Sequence, residues 1–522
     1  MSKTKYINKI GIEIPAYIEG IGALQPYSGS FTKLKKGIME EPSIPPPNKS
    51  ILPHKSKLKK SIKRAIQACN PHDGMTISFH HHLRGGDAVL MQVMEVIAAM
   101  GIKDITLASS SLTSAHDGIV PMIMDETITG IFSSGVRGEL GLTISHGHLK
   151  KPAVIHSHGG RVRGVHTGRI NIDIAVIAAS ASDEEGNATG SHGPSAFGSL
   201  GYACIDARYA KNVIVVTDNL VEYPCIPPSI PQNFVDFVVK VDSIGDPKKI
   251  ATGTTRITKS PLDLRIAKLA SEVITKSNYF KDGISFQVGA GGASLAVAKF
   301  IRTAMKEKQI KGSFLLGGIT SYGVDMLNEG LFRAIFDVQS FDAAVSSSIL
   351  NNPNHVEIPA GYYANPYNSG CVINKLDVVV LGALEIDTNF NVNVITGSEG
   401  DIRGASGGHS DTAAGAHMTV VVCPSFRGRI PIIKKKINNV VTPGETIDVV
   451  VTERGICINP LRKDLLQQFA QSNLQIRTIE DLEEEVRGIC GETKPVEYED
   501  RIVAVVEYRD GTIIDVIKQI KE

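Results

Sequence analysis

The sequence predicts an α/β protein of two related domains, each a mainly parallel sheet flanked by helices, and three observations predict it. First, from Asp73 onward short apolar runs end in small or polar residues: MTISFHH, DITLASSS, TITGIFSS, KPAVIHSHGG, IDIAVIAASAS, NVIVVTDN and DFVVKVDS. Runs of that length, bounded by glycine and aspartate, read as parallel strands covered on both faces. Second, DAVLMQVMEVIAAMG between the first two runs is apolar almost all round and closes on Gly101. It reads as a crossover helix with a glycine cap, which completes a βαβ unit. Third, the opening recurs. DGMTISFHHHLRGGDAVLMQVMEVIAAMGIKDITLASSSLTS (Asp73 to Ser114) lies over DGISFQVGAGGASLAVAKFIRTAMKEKQIKGSFLLGGITS (Asp282 to Ser321), with I-S-F in the strand and paired glycines at the turn in both.

The elements follow in order. Residues 1–70 hold Pro42, Pro45, Pro46, Pro47 and Pro53, a basic stretch from Lys49 to Arg64 and no periodic strand pattern, so they form an arm leading into a helix. The first domain spans 71–255. The polar stretch DSIGDPKKIATGTTRITKSPLDLR places a boundary near residue 255, and everything from 256 to 522 is assigned to the second domain. That domain continues through CVINKLDVVVLGALEID, HMTVVVCPS and IDVVVTERG. It ends in RIVAVVEYRDGTIIDVIKQI, where Asp510-Gly511 marks a tight turn between two apolar runs.

Composition narrows the function classes. With 55 Lys+Arg against 54 Asp+Glu the net charge is +1, so nothing in the total charge asks for nucleic acid or an anionic membrane. The Lys49–Arg64 stretch has no interleaved aromatics and reads as a solvated helix face. No run of about 18 apolar residues exists, and MSKTKYINKIGIEIPAYIEG lacks an apolar core followed by a cleavage site, so a cytoplasmic chain is expected. The seven cysteines are odd in number, widely spread and never C-x-x-C, which signals buried free thiols and neither disulfides nor a zinc ribbon.

Chemistry concentrates in glycine-rich turns. In QVGAGGAS (Gln287 to Ser294) the backbone N–H groups and the dipole of the following helix form a site for phosphate, carboxylate or an oxyanion. Ser294 stands where a dinucleotide fingerprint needs glycine and no P-loop lysine follows, so nucleotide binding is a weak reading; glycines serving only a tight turn are the plainer alternative. HHHLRGGD adds His81, His82 and Arg84 to a similar turn, where they could meet a carboxylate or phosphate or form a solvated rim. SSGVRGELG supplies Arg137, and GSEGDIRGASGGHSDTAAGAH supplies Arg403, His409 and Ser410; the two arginines suit bidentate carboxylate binding, against the alternative of surface arginines. H-x-H in HSHGG would set His156 and His158 on one strand face, but no acidic or cysteine partner stands at diagnostic spacing, so no metal site is expected.

Taken together, ISFHHHLRGGDAVL, SSGVRGELG, HSHGGRVR, ASASDEEGNATGSHGPSAFGS, DNLVEYPCIPPSI, SFQVGAGGASLAVAKF and SEGDIRGASGGHSDTAAGAH resemble the alpha subunits of citrate lyase, from about residue 30 to the end. The resemblance implies two homologous CoA-transferase-like domains and the reaction of acetyl-[acyl carrier] with citrate to give citryl-[acyl carrier] and acetate. It implies that nothing is bound covalently to this chain. The thiol belongs to a CoA-derived prosthetic group on an acyl-carrier (gamma) subunit, with a free CoA thioester as surrogate, and a beta subunit cleaves the citryl thioester. An oligomer in a citrate-fermenting complex is implied as well. More distant relatives attack the thioester with a glutamate in a segment resembling L-G-x-H-T-E; here LGGITS places Ser321 at that position, which favours direct carboxylate attack through a mixed anhydride and leaves Glu329, Glu357 and Glu385 as substitutes. Gly291 and Gly292, with Gly289 in the same loop, are the oxyanion candidates. His81, Arg84, Arg137, Arg403, His409 and Ser410 are the candidates for binding citrate. Two alternatives stand beside this: a scaffold that docks the carrier, and a transferase for another carboxylic acid using free CoA.

Overall fold

The computed structural model describes residues 4–47, 53–251, 257–289 and 291–521. Among them the first sheet has ten strands, in spatial order Ile513–Ile520, Tyr498–Glu507, Ala153–His156, Ile128–Ser133, Ile105–Ser109, Thr76–Phe79, Ile174–Ala179, Asn212–Thr217, Phe237–Lys240 and Leu58–Lys59. Neighbours are parallel throughout except in the Tyr498–Glu507/Ile513–Ile520 hairpin. The second sheet has eight: His355–Glu357, Phe332–Ser340, Gly312–Ile319, Phe286–Val288, Val378–Gly382, Met418–Val422, Val449–Thr452 and Gly455–Ile458, antiparallel only in the last pair. The architecture is therefore α/β with mainly parallel sheets, as the apolar runs predict. Ile174–Ala179 shows why: all six residues are buried, because helices cover both faces of the sheet.

Both halves of the repeat fold alike. In the first, helix Val89–Ala99 buries Val89, Leu90, Val93, Met94 and Ile97 along one stripe and stops where Gly101, at φ +72°, donates its N–H to Ala98 O at 3.0 Å. In the second, strand Phe286–Val288 leads through the glycine turn into helix Gly292–Glu307 and then strand Gly312–Ile319. The two halves share apolar packing. Ile395, Ile402, Val440 and Val441 join the core of the first sheet, while Val162 and Tyr202 join a core of the second.

The last hairpin departs from the sequence reading. It follows the second domain in the chain, yet it extends the first sheet, with Ala504 opposite Ala153 and Glu507 opposite His156. Val503–Val506 are buried on both faces and need a covered sheet edge, which Ala153–His156 offers. The N-terminal arm supplies the cover: Tyr27 and Ile513 exchange backbone bonds with Ile513 and Gln25 at 2.9 and 2.7 Å, and Ile14 packs on Val154, Val505 and Ile513. The arm, read from sequence as strandless, holds an antiparallel pair, Lys5–Ile7 with Glu13–Pro15. The boundary placed near residue 255 and the start of the basic stretch, Lys49 to Leu52, lie outside the described residues. The seven cysteines are free, with Cys204 and Cys490 only partly buried. Among the described residues no helix is long and apolar enough to cross a membrane.

Arg163, 1% exposed on helix His158–His166, ties tail and arm to the first sheet by pairing with Glu507 at 2.6 Å and with Glu40. Removing one partner of a buried pair costs about 3–5 kcal/mol. Arg169, 4.0 Å from the other Glu507 oxygen, sets the expectation for Arg163→Ala near the lower end, about 3 kcal/mol. Calorimetric melting should show that loss, and adding Glu507→Gln should recover part of it by removing the stranded charge.

Candidate functional site

The strands of both sheets bring their carboxyl ends to one seam, the position at which open α/β sheets bind ligands. From the first sheet come His80–His82 after Thr76–Phe79, Ser110 after Ile105–Ser109, Ser134–Arg137 after Ile128–Ser133, and Ser157–His158 after Ala153–His156. From the second come Gln287, Gln339 and Gly382. Hydrogen bonds cross the seam at several points. Asp411 accepts from Ser157 Oγ at 2.9 Å and from Gly159 N at 2.8 Å; His158 N donates to Gly407 O at 2.8 Å, and Ser406 N to Ser134 O at 2.8 Å. His81 bridges as well, its Nε2 lying 3.0 Å from Gln339 Oε1 and its Nδ1 2.5 Å from Ser110 Oγ.

Electrostatics divides the predicted residues. His81 is neutral, because burial, with His158 and Arg84 nearby, holds its pKa well below the usual histidine value. Both of its ring nitrogens are engaged, and the ring lies 5.4 Å from that of Tyr202 at an interplanar angle of 23°. Arg84, at φ +54°, sits with its guanidinium carbon 4.5 Å over the Phe341 ring; burial and the neighbouring Arg137 cation push its pKa down to about 10. It remains cationic. Arg137 is open to the seam although protein rings it closely enough to lower its pKa, and it makes no hydrogen bond or ion pair with any described residue. The fold thus brings two guanidinium groups into mutual repulsion beside a cleft.

The second-domain candidates are placed differently. Arg403 is held by both oxygens of Asp401 at 2.5 and 2.7 Å, with Glu399 at 3.7 Å, and these two carboxylates line a groove with His146 and Lys521. Its charge is already answered, while its neighbours Gly404 and Ala405 pair with the Arg137 loop. His409 is fixed at both nitrogens, to Thr442 Oγ1 at 2.7 Å and Gly382 O at 3.0 Å, and burial lowers its pKa to about 4. It anchors its loop as a neutral ring. Ser410 is buried in the first turn of helix His409–Gly415, and its hydroxyl bonds no described residue. His156 and His158, expected on one face, diverge because the strand stops at His156 and His158 opens the next helix. Among the described residues no three His, Cys, Asp or Glu side chains gather as metal ligands.

In the glycine turn, Gly289 N donates to Val380 O at 2.7 Å, so its N–H is unavailable to an oxyanion. Gly291 is extended (φ −80°, ψ 146°), a conformation open to any residue, and a Cβ there would meet only Ser294 Oγ at 3.7 Å. Nothing among the described residues requires glycine at that position. The N–H groups of Gly291 and Gly292, at the start of the 16-residue helix, meet no acceptor among the described residues. Ala290 between the glycines lies outside them. The three glutamates left as substitute nucleophiles all have partners, and among the described residues Ser321 is held through its backbone only. Ser321 begins helix Ser321–Asn328 with its N–H on Asp342, Glu329 pairs with Arg302 and Lys306, and Glu385 pairs with Lys434. Glu357 is buried and accepts from Leu200 N and Ser229 Oγ, and burial raises its pKa.

Sequence reasoning missed Tyr202 and Gln339, which belong to no motif, and marked His158 only as part of a histidine cluster. The seam places all three beside His81.

Comparison with known proteins shows the family. The family model described as citrate lyase, alpha subunit (CitF), matches residues 55–520. The citrate lyase alpha chain of Escherichia coli K12 is 49% identical over 466 residues, 89% of this chain and 91% of the relative, and that of Klebsiella pneumoniae is 49% identical over 465, covering 89% and 92%. A crystal structure from Streptococcus mutans, assigned as the alpha subunit of citrate lyase and solved in complex with citrate, superposes with a TM-score of 0.93 at 49% identity, covering 99% of this chain and 100% of that one. A Pseudomonas malonate decarboxylase hetero-tetramer structure shares the fold alone, with a TM-score of 0.63 at 14% identity over 84% of each chain. With a family model spanning nearly its whole length and relatives half identical over nine-tenths of it, this chain belongs to the citrate lyase alpha-subunit family.

Proposed function

We propose that the chain transfers acyl groups between an acetyl thioester carried by a separate acyl-carrier subunit and citrate, giving the citryl thioester and acetate. The observation that carries this reading is the pair Arg84 and Arg137, neighbouring cations at the seam with Arg137 unanswered by any described carboxylate. A polyanion between them relieves the repulsion, and the citrate complex of the Streptococcus mutans relative fits that role.

The chemistry runs in two balanced steps. A citrate carboxylate oxygen attacks the acetyl carbonyl carbon, and the tetrahedral oxyanion collapses by breaking the C–S bond, leaving a citryl–acetyl anhydride and a thiolate. The thiolate then attacks the citryl carbonyl carbon and acetate departs. No proton need enter or leave. The protein aligns carboxylate and thioester, worth an effective concentration of about 10⁵–10⁸ M in well-oriented cases. The N–H groups of Gly291 and Gly292 stabilise the oxyanion, at roughly 3–4 kcal/mol per donor. The committed state of Glu329, Glu357 and Glu385 supports direct attack over an enzyme-bound thioester. The purified chain, given acetyl thioester and citrate, should release acetate; failure with both carrier-bound and free CoA thioesters would leave a docking role.

Three outcomes test the parts. Arg137→Ala should raise the KM for citrate about 10- to 100-fold, the range of a lost charged hydrogen bond, with Arg137→Lys recovering little of the fork geometry. Gly291→Val should abolish transfer yet leave the melting temperature nearly unchanged, since a Cβ there has room in the protein; equal losses of stability and activity would return this glycine to a turn-forming role. Incubation with acetyl donor alone, followed by hydroxylamine and mass spectrometry, should recover no modified glutamate. Modification at Glu357 would replace the direct route by a covalent one.

A further inference from the structure

We propose that His158 is the specificity-determining residue that reads the tertiary hydroxyl of the substrate, its Nε2–H donating to the hydroxyl oxygen while the arginines hold carboxylates. This rests on the citrate reading above and goes beyond it.

The ring is rigid and unpartnered. Its backbone N–H is fixed on Gly407 O at 2.8 Å, its centroid lies 4.3 Å from that of Tyr202, and the helix it opens is clasped by Asp411 through Gly159 N. Yet neither ring nitrogen bonds a described residue, and Nδ1 is fully enclosed. Each neighbouring histidine has at least one bonded ring nitrogen, His156 included, whose Nδ1 meets Ser157 O while its Nε2 is enclosed and unpaired. His80 Nε2 meets Ala178 O, His82 Nε2 meets Ile244 O, and both nitrogens of His81 and of His409 are engaged. Space in front of the free edge is kept open by Gly407, at φ +52°, where a Cβ would stand 3.6 Å from Nε2.

The enclosure of Nδ1 also fixes the tautomer. A buried N–H without an acceptor is rarer than an under-used acceptor, so the proton resides on Nε2 and a donor faces the cleft. Burial, with Arg161 and Arg137 nearby, pushes the ring's pKa to about 3, so it brings no charge. Carboxylate charge is answered by Arg84 and Arg137, and the reacting carboxylate turns to the glycine loop. The hydroxyl is the remaining polar group of citrate, and a neutral donor suits it. An analogue lacking the hydroxyl would leave Nε2–H desolvated and unpaired, the condition under which a missing hydroxyl is rejected strongly.

The test is titration calorimetry of the full chain with citrate and with propane-1,2,3-tricarboxylate, which lacks only the hydroxyl. Wild type should prefer citrate by about 10- to 100-fold, and His158→Ala should bring the ratio to within about threefold of one. His158→Gln, keeping an N–H at similar reach, should restore part of the preference, and Arg137→Ala should weaken both ligands while preserving it. Should the alanine variant lose its fold, His158→Phe, which keeps the packing on Tyr202 and drops the donor, carries the same expectation. Equal weakening of both ligands by His158→Ala, or unchanged affinities with slower exchange, would overturn the assignment. Wild type binding both ligands equally would overturn the hydroxyl role alone; binding neither would remove the tricarboxylate reading and this inference with it.

Discussion

The Asp411 carboxylate, seated between the two halves, is the interaction on which the site depends. It accepts from Ser157 Oγ and Gly159 N at the opening turn of the helix that starts at His158, and Arg509 of the C-terminal hairpin lies 3.4 Å from it. A carboxylate at a helix N-terminus satisfies donors that have no partner inside the helix and complements its dipole. Here the acceptor belongs to one half and the helix to the other, so the same bonds that cap the helix register the two sheets. The positions of His158 and Tyr202, and the contact of His81 with Gln339, follow from that registration.

The seam also sorts charge. Burial keeps His80 and His158 neutral, with pKa values near 3, and holds His81 and His156 low as well. Positive charge at the cleft therefore comes from guanidinium groups, which do not titrate near neutrality, while the histidines contribute shape and neutral hydrogen bonds. The proposed transfer, in which a bound polyanion keeps one carboxylate nucleophilic, would be served by this division, because neutral histidines carry no acidic proton to quench the attacking oxygen.

Much of the fold was legible in the sequence because parallel strands covered on both faces leave continuous apolar runs, and because the repeat at Asp73 and Asp282 preserves strand, turn and helix in one order. The tail was not. Its runs announce a hairpin, but the strand it joins, Ala153–His156, lies about 350 residues earlier in the chain, and nothing local says which sheet has a vacant edge. The site was legible in part for the same reason. Arg84 and Arg137 stand in glycine-rich turns after strands, where backbone and ligand can approach. Arg403 looks alike by that criterion and differs through Asp401, two residues earlier, which takes both arms of its guanidinium. His409 is tied to Thr442 and Gly382, on segments distant in sequence, so its commitment could not be seen. Tyr202 and Gln339 carry no motif at all, since their role comes from the seam.

The glycine-rich strings that mark the family do two different physical jobs, and side-chain space separates them. At Gly159 a Cβ would lie 2.1 Å from Ala364 O, and at Gly135 it would lie 2.1 Å from the Ala405 methyl. Such distances leave no room for any side chain, so these glycines let the halves close on one another, and their requirement is one of packing. Gly291 has an ordinary extended backbone, and among the described residues a Cβ there would meet only Ser294 Oγ. Packing against the described residues gives no reason for glycine there. A glycine therefore bears on a binding site only where the fold itself does not already demand it, and among these three positions that leaves the Gly291 turn, the one from which the proposed transfer draws its oxyanion donors.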